Sequence, residues 1–169
     1  RISPSITRLG DGRVLVAGGY SERFAGLVVP DAETFDPSTE IWTTTGPMGS
    51  PRLYHGAVLL ADGRVLLAGG VSNYFSGLLA SAEIFDPATG AWTPAGSLAQ
   101  GRSQHSLTAL SDGRVLAAGG WTFTAPLASA EVFDPGAGTW QWTRSLTTAR
   151  VAHAALLLAD GSVLVTGGS

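Results

Sequence analysis

Internal repetition limits this chain more than any other feature. Asp-Gly pairs begin at Asp11, Asp62, Asp112 and Asp160, at steps of 51, 50 and 48 residues. Each leads into a short apolar run closing on two glycines: Gly18–Gly19, Gly69–Gly70, Gly119–Gly120 and Gly167–Gly168. Phe-Asp-Pro recurs at Phe35, Phe85 and Phe133, and seven residues after each phenylalanine stands Trp42, Trp92 or Trp140. Ten residues further on come Arg52, Arg102 and Arg150, and three beyond those His55, His105 and His153. A chain built this way stacks like units, none able to bury its own faces alone.

One unit, residues 52–101, shows what each is made of. Tyr54–Leu60 is apolar and bounded by turn residues, which predicts a strand. Asp62-Gly63 suits the positive φ of a tight hairpin. Val65–Ala68 reads as a second buried strand, ended by Gly69-Gly70 where the chain must bend or approach other backbone. Ala82–Phe85 is a third strand, Asp86–Gly90 a turn, and Ala91–Thr93 a fourth strand carrying Trp92. Four short antiparallel strands in roughly 50 residues make one blade of a β-propeller. No amphipathic helix is legible.

Composition removes other classes. Glycine supplies 23 of 169 residues and charged residues only 14%, against about 25% in an average soluble domain. That excludes a coiled coil, and the 44% apolar content excludes intrinsic disorder. Net charge is −3 with no basic cluster, so nucleic acid is a poor partner. No apolar run is long enough for a helix to span a bilayer, so membrane insertion is not expected. There is no cysteine, hence no disulfide and no thiolate ligand. The chain opens on Arg1 rather than Met, which reads as a processed chain or an excised piece.

The order Arg-x-x-His, apolar strand, Asp-Gly-Arg-Val-Leu, Gly-Gly, Ala-Glu-x-Phe-Asp-Pro and Gly-x-Trp resembles the kelch repeat in its bacterial-type form. The resemblance covers essentially the whole chain. It implies an all-β kelch-type propeller of four-stranded antiparallel blades, the first strand innermost, with about three and a half blades per chain. Blades are expected at about residues 1–50, 51–100 and 101–148, with a half blade at 149–169. Pro4 occupies the histidine position of the first blade and leaves its inner strand open to question. Rings of the family usually hold about six or seven blades. Closure would then come from a second copy, from further sequence, or from a compact four-bladed arrangement. The role implied is a non-catalytic protein- or glycan-binding scaffold without cofactor. The alternatives are a supporting propeller within a larger carbohydrate-active or galactose-oxidase-like enzyme, or a self-assembling unit with no ligand of its own.

Variation between copies points to the binding face. The Asp-Gly and Asp-Pro turns barely change and lie on one side of the disc. The connections between second and third strands, on the other side, differ: residues 20–31, 71–81 and 121–129. They hold Tyr20, Arg23, Phe24, Tyr74, Phe75, Trp121 and Phe123, aromatics on adjustable loops that suit recognition. They could instead pack between loops beside Leu27, Val28, Leu78 and Leu79, which read as buried.

Other residues invite a chemical reading. Three inner-strand histidines could line a channel and hold a metal, yet repeat-equivalent residues mostly serve the repeat. They are expected to bond backbone between blades. Glu33, Glu83 and Glu131 share a strand face with a phenylalanine and need a cationic partner, from Arg52, Arg102 and Arg150 or from Arg13, Arg64 and Arg114. Tyr54-His55 resembles the copper-binding Tyr-His pair of galactose-oxidase-like enzymes. That family also cross-links a cysteine, which this chain lacks.

Overall fold

The computed structural model spans all 169 residues, and residues 1–21, 27–73 and 76–169 are described. Sixteen strands and no helix occur among the described residues. Three antiparallel four-stranded sheets follow one another along the chain. The first holds β1 (Ser5–Arg8), β2 (Val14–Ala17), β5 (Ala32–Asp36) and β6 (Ile41–Thr44). The second holds β7 (Gly56–Leu59), β8 (Val65–Ala68), β9 (Ser81–Asp86) and β10 (Ala91–Ser97). The third holds β11 (Ser106–Ala109), β12 (Val115–Ala118), β13 (Ala130–Asp134) and β14 (Thr139–Thr143). A two-stranded sheet, β15 (Ala154–Leu157) with β16 (Val163–Thr166), comes last. Within the first connection, β3 (Tyr20–Ser21) pairs with β4 (Leu27–Val28).

This is the all-β propeller architecture, incomplete as a ring. The first strands of successive sheets neighbour one another, β1 with β7, β7 with β11 and β11 with β15, and β1 has no comparable contact with β15. Pro4 does not prevent β1 from forming. First strands start later than Tyr54–Leu60 suggests, because Tyr54 lies at φ 57° and breaks the extended run.

The turns form as their residues dictate. The Asp62 carboxylate accepts from Arg64 N at 3.0 Å and Nε at 2.8 Å, closing the hairpin on Gly63 at φ 87°. Asp11–Arg13 and Asp112–Arg114 repeat the arrangement, while Ser162 replaces the arginine beside Asp160. At the other turn Asp86 Oδ1 accepts from Ala88 N, and Gly90 donates to the Asp86 carbonyl at φ 71°. Glu40 holds the same left-handed position in the first sheet without glycine's freedom.

The core lies between the sheets. Leu15 and Ala17 of the first face Val65, Leu67 and Phe85 of the second. Leu66, Ala68 and Ile84 of the second face Val115, Ala117 and Phe133 of the third. Trp92 and Trp140 pack at these seams, tilted against Phe85 and Phe133 at 5.0 Å. Trp140 Nε1 also donates to the Ala95 carbonyl of the preceding sheet at 3.2 Å. Trp42 keeps its Phe35 contact at 4.9 Å but has no sheet before it, and is 54% exposed.

Candidate functional site

Each seam is closed by one node of groups. Gly19, the second glycine of its pair, donates from N to the carbonyl of Arg52, which opens the next unit, at 2.8 Å. Gly70 does the same to Arg102 at 2.8 Å and Gly120 to Arg150 at 2.9 Å. The first glycine of the pair makes room: a Cβ on Gly18, at φ 63°, would lie 2.5 Å from the Arg52 carbonyl oxygen and 2.9 Å from the His55 ring. Any side chain would drive the sheets apart.

The side chain of the same arginine turns inward. Arg52 is fully buried, donating from Nη1 to the carbonyls of Gly69 and Ser81 and from Nη2 to Glu83 Oε1 at 2.7 Å. Arg102 repeats this with Gly119, Ser129 and Glu131 at 2.8 Å. The carboxylates also cap the link from the preceding sheet. Glu83 accepts from Gly49 N at 2.6 Å, and Glu131 from Ala99 N at 2.7 Å. Burial pulls the Arg102 guanidinium below its ordinary range, and the Glu131 carboxylate opposes that shift. Removing one partner of such a buried pair costs about 3–5 kcal/mol. Glu33 pairs with Arg1 at 2.9 Å, a partner that sequence reasoning missed although Arg1 stands 51 residues before Arg52. Arg13, Arg64 and Arg114 are held by their own turn aspartates.

Across the seams two of the histidines reach serine hydroxyls where backbone was expected. His55 Nε2 lies 2.8 Å from Ser5 Oγ of the preceding sheet, and His153 Nε2 lies 2.9 Å from Ser106 Oγ. Buried His105 has no partner on either ring nitrogen. The residue equivalent to Ser5 and Ser106 is Gly56 there, and a Cβ on it would lie 2.5 Å from Leu107 Cγ. Where serine stands, the facing residue is Ala57 or Ala155; where glycine stands, it is Leu107. Two seams use a hydrogen bond and the third fills the same space with hydrocarbon. Burial, then the charge of Arg52 or Arg102, lowers His55 and His105 to about 3, and burial lowers His153. His55 is thus held in the seam beside Gly18 through Nε2, with Nδ1 buried and without a partner.

The variable connections are rooted in a repeated bridge: Tyr20 to Ile2, Val71 to Leu53, and Trp121 to Ser103. Tyr20 and Trp121 are half-buried at equivalent places. Phe123 projects further, 39% exposed at φ 75°, from a loop tied by Thr122 Oγ1 to the carbonyl and N of Ala125. Arg23, Phe24, Tyr74 and Phe75 lie outside the described residues. Leu27, read as buried, is 62% exposed on its two-residue ribbon. Tyr54, at φ 57°, adds an exposed aromatic that the binding-face reading overlooked.

The opposite side is different in kind. A shallow hollow of about 270 Å³ is lined by Asp11, Arg13, Asp62, Arg64 and Asp86. Asp11 and Asp62 are held below their usual range by the arginines two residues on. Arg13 and Arg64 are already neutralised by Asp11 and Asp62. No three His, Asp or Glu among the described residues are placed to hold a metal ion.

Two predictions follow from the histidine column. In a double-mutant cycle, Gly56→Ser alone should cost about 1–3 kcal/mol by overpacking against Leu107, and Leu107→Ala about 2–3 kcal/mol by leaving a cavity. The double variant should cost clearly less than their sum, since a Ser–Ala pair restores a partner for His105. Additive denaturation energies would disprove the exchange. The second concerns pH. A histidine lowered to about 3 in the fold and near 6.5 when unfolded gives stability that is full above 6.5 and lost as pH falls below it. Urea midpoints should therefore fall between about pH 6.5 and 5, before the carboxylates titrate, with a slope approaching 1.4 kcal/mol per unit for each buried ring. His105→Gln should flatten that slope, and an unchanged slope refutes its cause.

Comparison with known sequences agrees with this geometry. No curated protein matches the chain. A family model described as the kelch motif matches residues 51–99 and 102–144, the second and third sheets with their links, together more than half of the chain. With the arginine, double-glycine and tryptophan nodes placed as above, the chain belongs to the kelch-repeat family.

Proposed function

We propose that this chain is a non-catalytic scaffold that binds a protein through the face carrying loops 20–31, 71–81 and 121–129. Kelch repeats make propeller modules that typically bind proteins, and such domains are generally non-catalytic. The observation that carries the choice of face is Phe123. An aromatic is held exposed, at a backbone angle that costs a non-glycine residue energy, on a loop braced by its own hydrogen bonds. Trp121 and Tyr20 flank it in kind, and Arg23, Phe24, Tyr74 and Phe75 are the further candidate contacts on the same loops. The opposite face offers paired charges and turn residues in near-identical copies, a poor basis for specificity.

The test places a photo-crosslinking amino acid at Phe123 and, separately, at Pro87 on the opposite face. A protein captured from position 123 alone, whose affinity drops at least tenfold in the Phe123→Ala chain, is the expected result. Equal capture from both positions overturns the choice of face, and saturable binding to a glycan array in place of protein overturns the choice of partner.

Self-association is a second reading with its own observation. Ile6 is 71% exposed on the outer face of the first sheet and Leu156 is 62% exposed on the last, while the equivalent faces inside the chain are buried. Apolar ends of this kind suit head-to-tail stacking of copies. Light scattering behind a sizing column should then give twice the monomer mass, and Ile6→Lys should return it to monomer. A wild-type chain that stays monomeric at high concentration refutes this reading.

A further inference from the structure

The two ends of the sheets differ sharply in charge. Antiparallel pairing sends the hairpin between first and second strands and the turn between third and fourth to one end, and the connection between second and third strands to the other. The Asp-Gly hairpins and Asp-Pro turns bring seven aspartates to the turn end, against the arginines Arg13, Arg64 and Arg114. The connections 71–81 and 121–129 hold no Asp, Glu, Lys or Arg. Residues 53–55 and 103–105, bridged to the roots of those connections, carry no formal charge either, since burial keeps His55 and His105 neutral. The links into the second and third sheets, 45–51 and 95–101, are uncharged as well. At the flanks of this end charge returns, in the first connection 20–31 and at Arg144 after β14.

The polar side chains of these two loops are spent on the loops themselves. Thr122 Oγ1 donates to the Ala125 carbonyl at 3.1 Å, accepts from Ala125 N and lies 3.1 Å from Thr124 Oγ1. Ser72 Oγ donates to the Gly77 carbonyl at 3.2 Å, and Ser76 donates from N and Oγ to Asn73 Oδ1. Phe123, Ala125 and Pro126 are exposed, and so is the neutral phenol of Tyr54. Such a surface gives a partner's charge nothing of opposite sign, so a charge covered by it loses its water without return. Hydroxyls turned inward also leave a sugar ring little to bond. An apolar segment meets neither penalty.

We propose that the partner of this face presents an uncharged, apolar polypeptide segment to the second and third loops, and that charged segments are rejected there. The inference rests on the reading of the loop face as the protein-binding face. Selection works by exclusion, since a charged competitor loses hydration that an uncharged one never had. Basic segments are drawn instead toward the acidic turn end.

The probe is a phage-displayed random peptide library selected against the full chain, with fluorescein-labelled synthetic copies of the enriched peptides then read by anisotropy. Enriched peptides should share an uncharged core and bind equally well at about 50 and about 500 mM salt. Their affinity should drop at least tenfold in the Phe123→Ala chain. Ala125→Glu puts a charge two residues from Phe123 without removing a hydrogen bond of the loop. It should weaken the same peptides about tenfold, while the neutral Ala125→Gln leaves them unchanged. The two failures separate. Peptides lost with Phe123→Ala but rich in charge or weakened by salt, or equal losses in the two Ala125 variants, overturn the uncharged partner and leave the face. Enriched peptides that bind the Phe123→Ala chain undiminished overturn the face and this inference with it, as does a library that yields none.

Discussion

Everything in this fold hangs on the carbonyl of the arginine that opens each repeat. It is taken by the second glycine of the preceding repeat, so every seam is anchored backbone to backbone. That bond cannot form unless the neighbouring glycine lacks a side chain, which is why the double glycine recurs with the repeat. The guanidinium of the same residue then turns back into its own sheet and fixes the third strand through a buried glutamate. One residue thus joins sheets with its main chain and organises a sheet with its side chain. Two buried ions are an expensive way to hold a strand in place. The expense is offset here because the carboxylate also satisfies two amides of the incoming link, groups that would otherwise be buried without partners.

The sequence made much of this legible. The strands of the four-stranded sheets and the turn positions follow from period, turn chemistry and alternation, all local signals, whereas the β3–β4 ribbon does not. The arginine–glutamate pairing was half legible. Alternation showed that Glu83 and Glu131 needed cations but could not choose between two equally spaced arginine sets. What decided it was the turn: Asp62 lies two residues from Arg64 and captures it first. The histidine partners were not legible, because the partner lies on the preceding sheet and changes identity from seam to seam. Only by reading Ser5, Gly56 and Ser106 against Ala57, Leu107 and Ala155 does the compensation become visible, and that alignment requires the strand register. Loop exposure was the least legible. Leu27 is apolar and was read as buried, but burial depends on what covers a residue rather than on its own side chain.

The seams also show how the repeats tolerate drift. A hydroxyl bonded to an imidazole and a leucine filling the same gap are not chemically alike, yet both close the space beside the inner strand. The apolar version leaves His105 with two unbonded nitrogens. A neutral ring in that position still loses its hydration, so the seam carries a polar penalty in exchange for better packing. The ring persists because it lies against the Gly69 position, where it fills space that no glycine can.

Variation is therefore partitioned by physics. A change in the glycine pair, the arginine or the glutamate disturbs two sheets at once, since each of these groups serves its own strand and its neighbour. The roots of the connections between second and third strands are fixed as well, because the bridges at Tyr20, Val71 and Trp121 join each to the segment that leads into its sheet's first strand. Where the connections return, Leu79 and Leu127 accept from the backbone N of Arg102 and Arg150, so those ends belong to the seam. A loop such as that around Phe123 can hold an aromatic at an unfavourable backbone angle, because the cost is borne against a scaffold whose stability lies elsewhere. The face that varies is the face that can afford to.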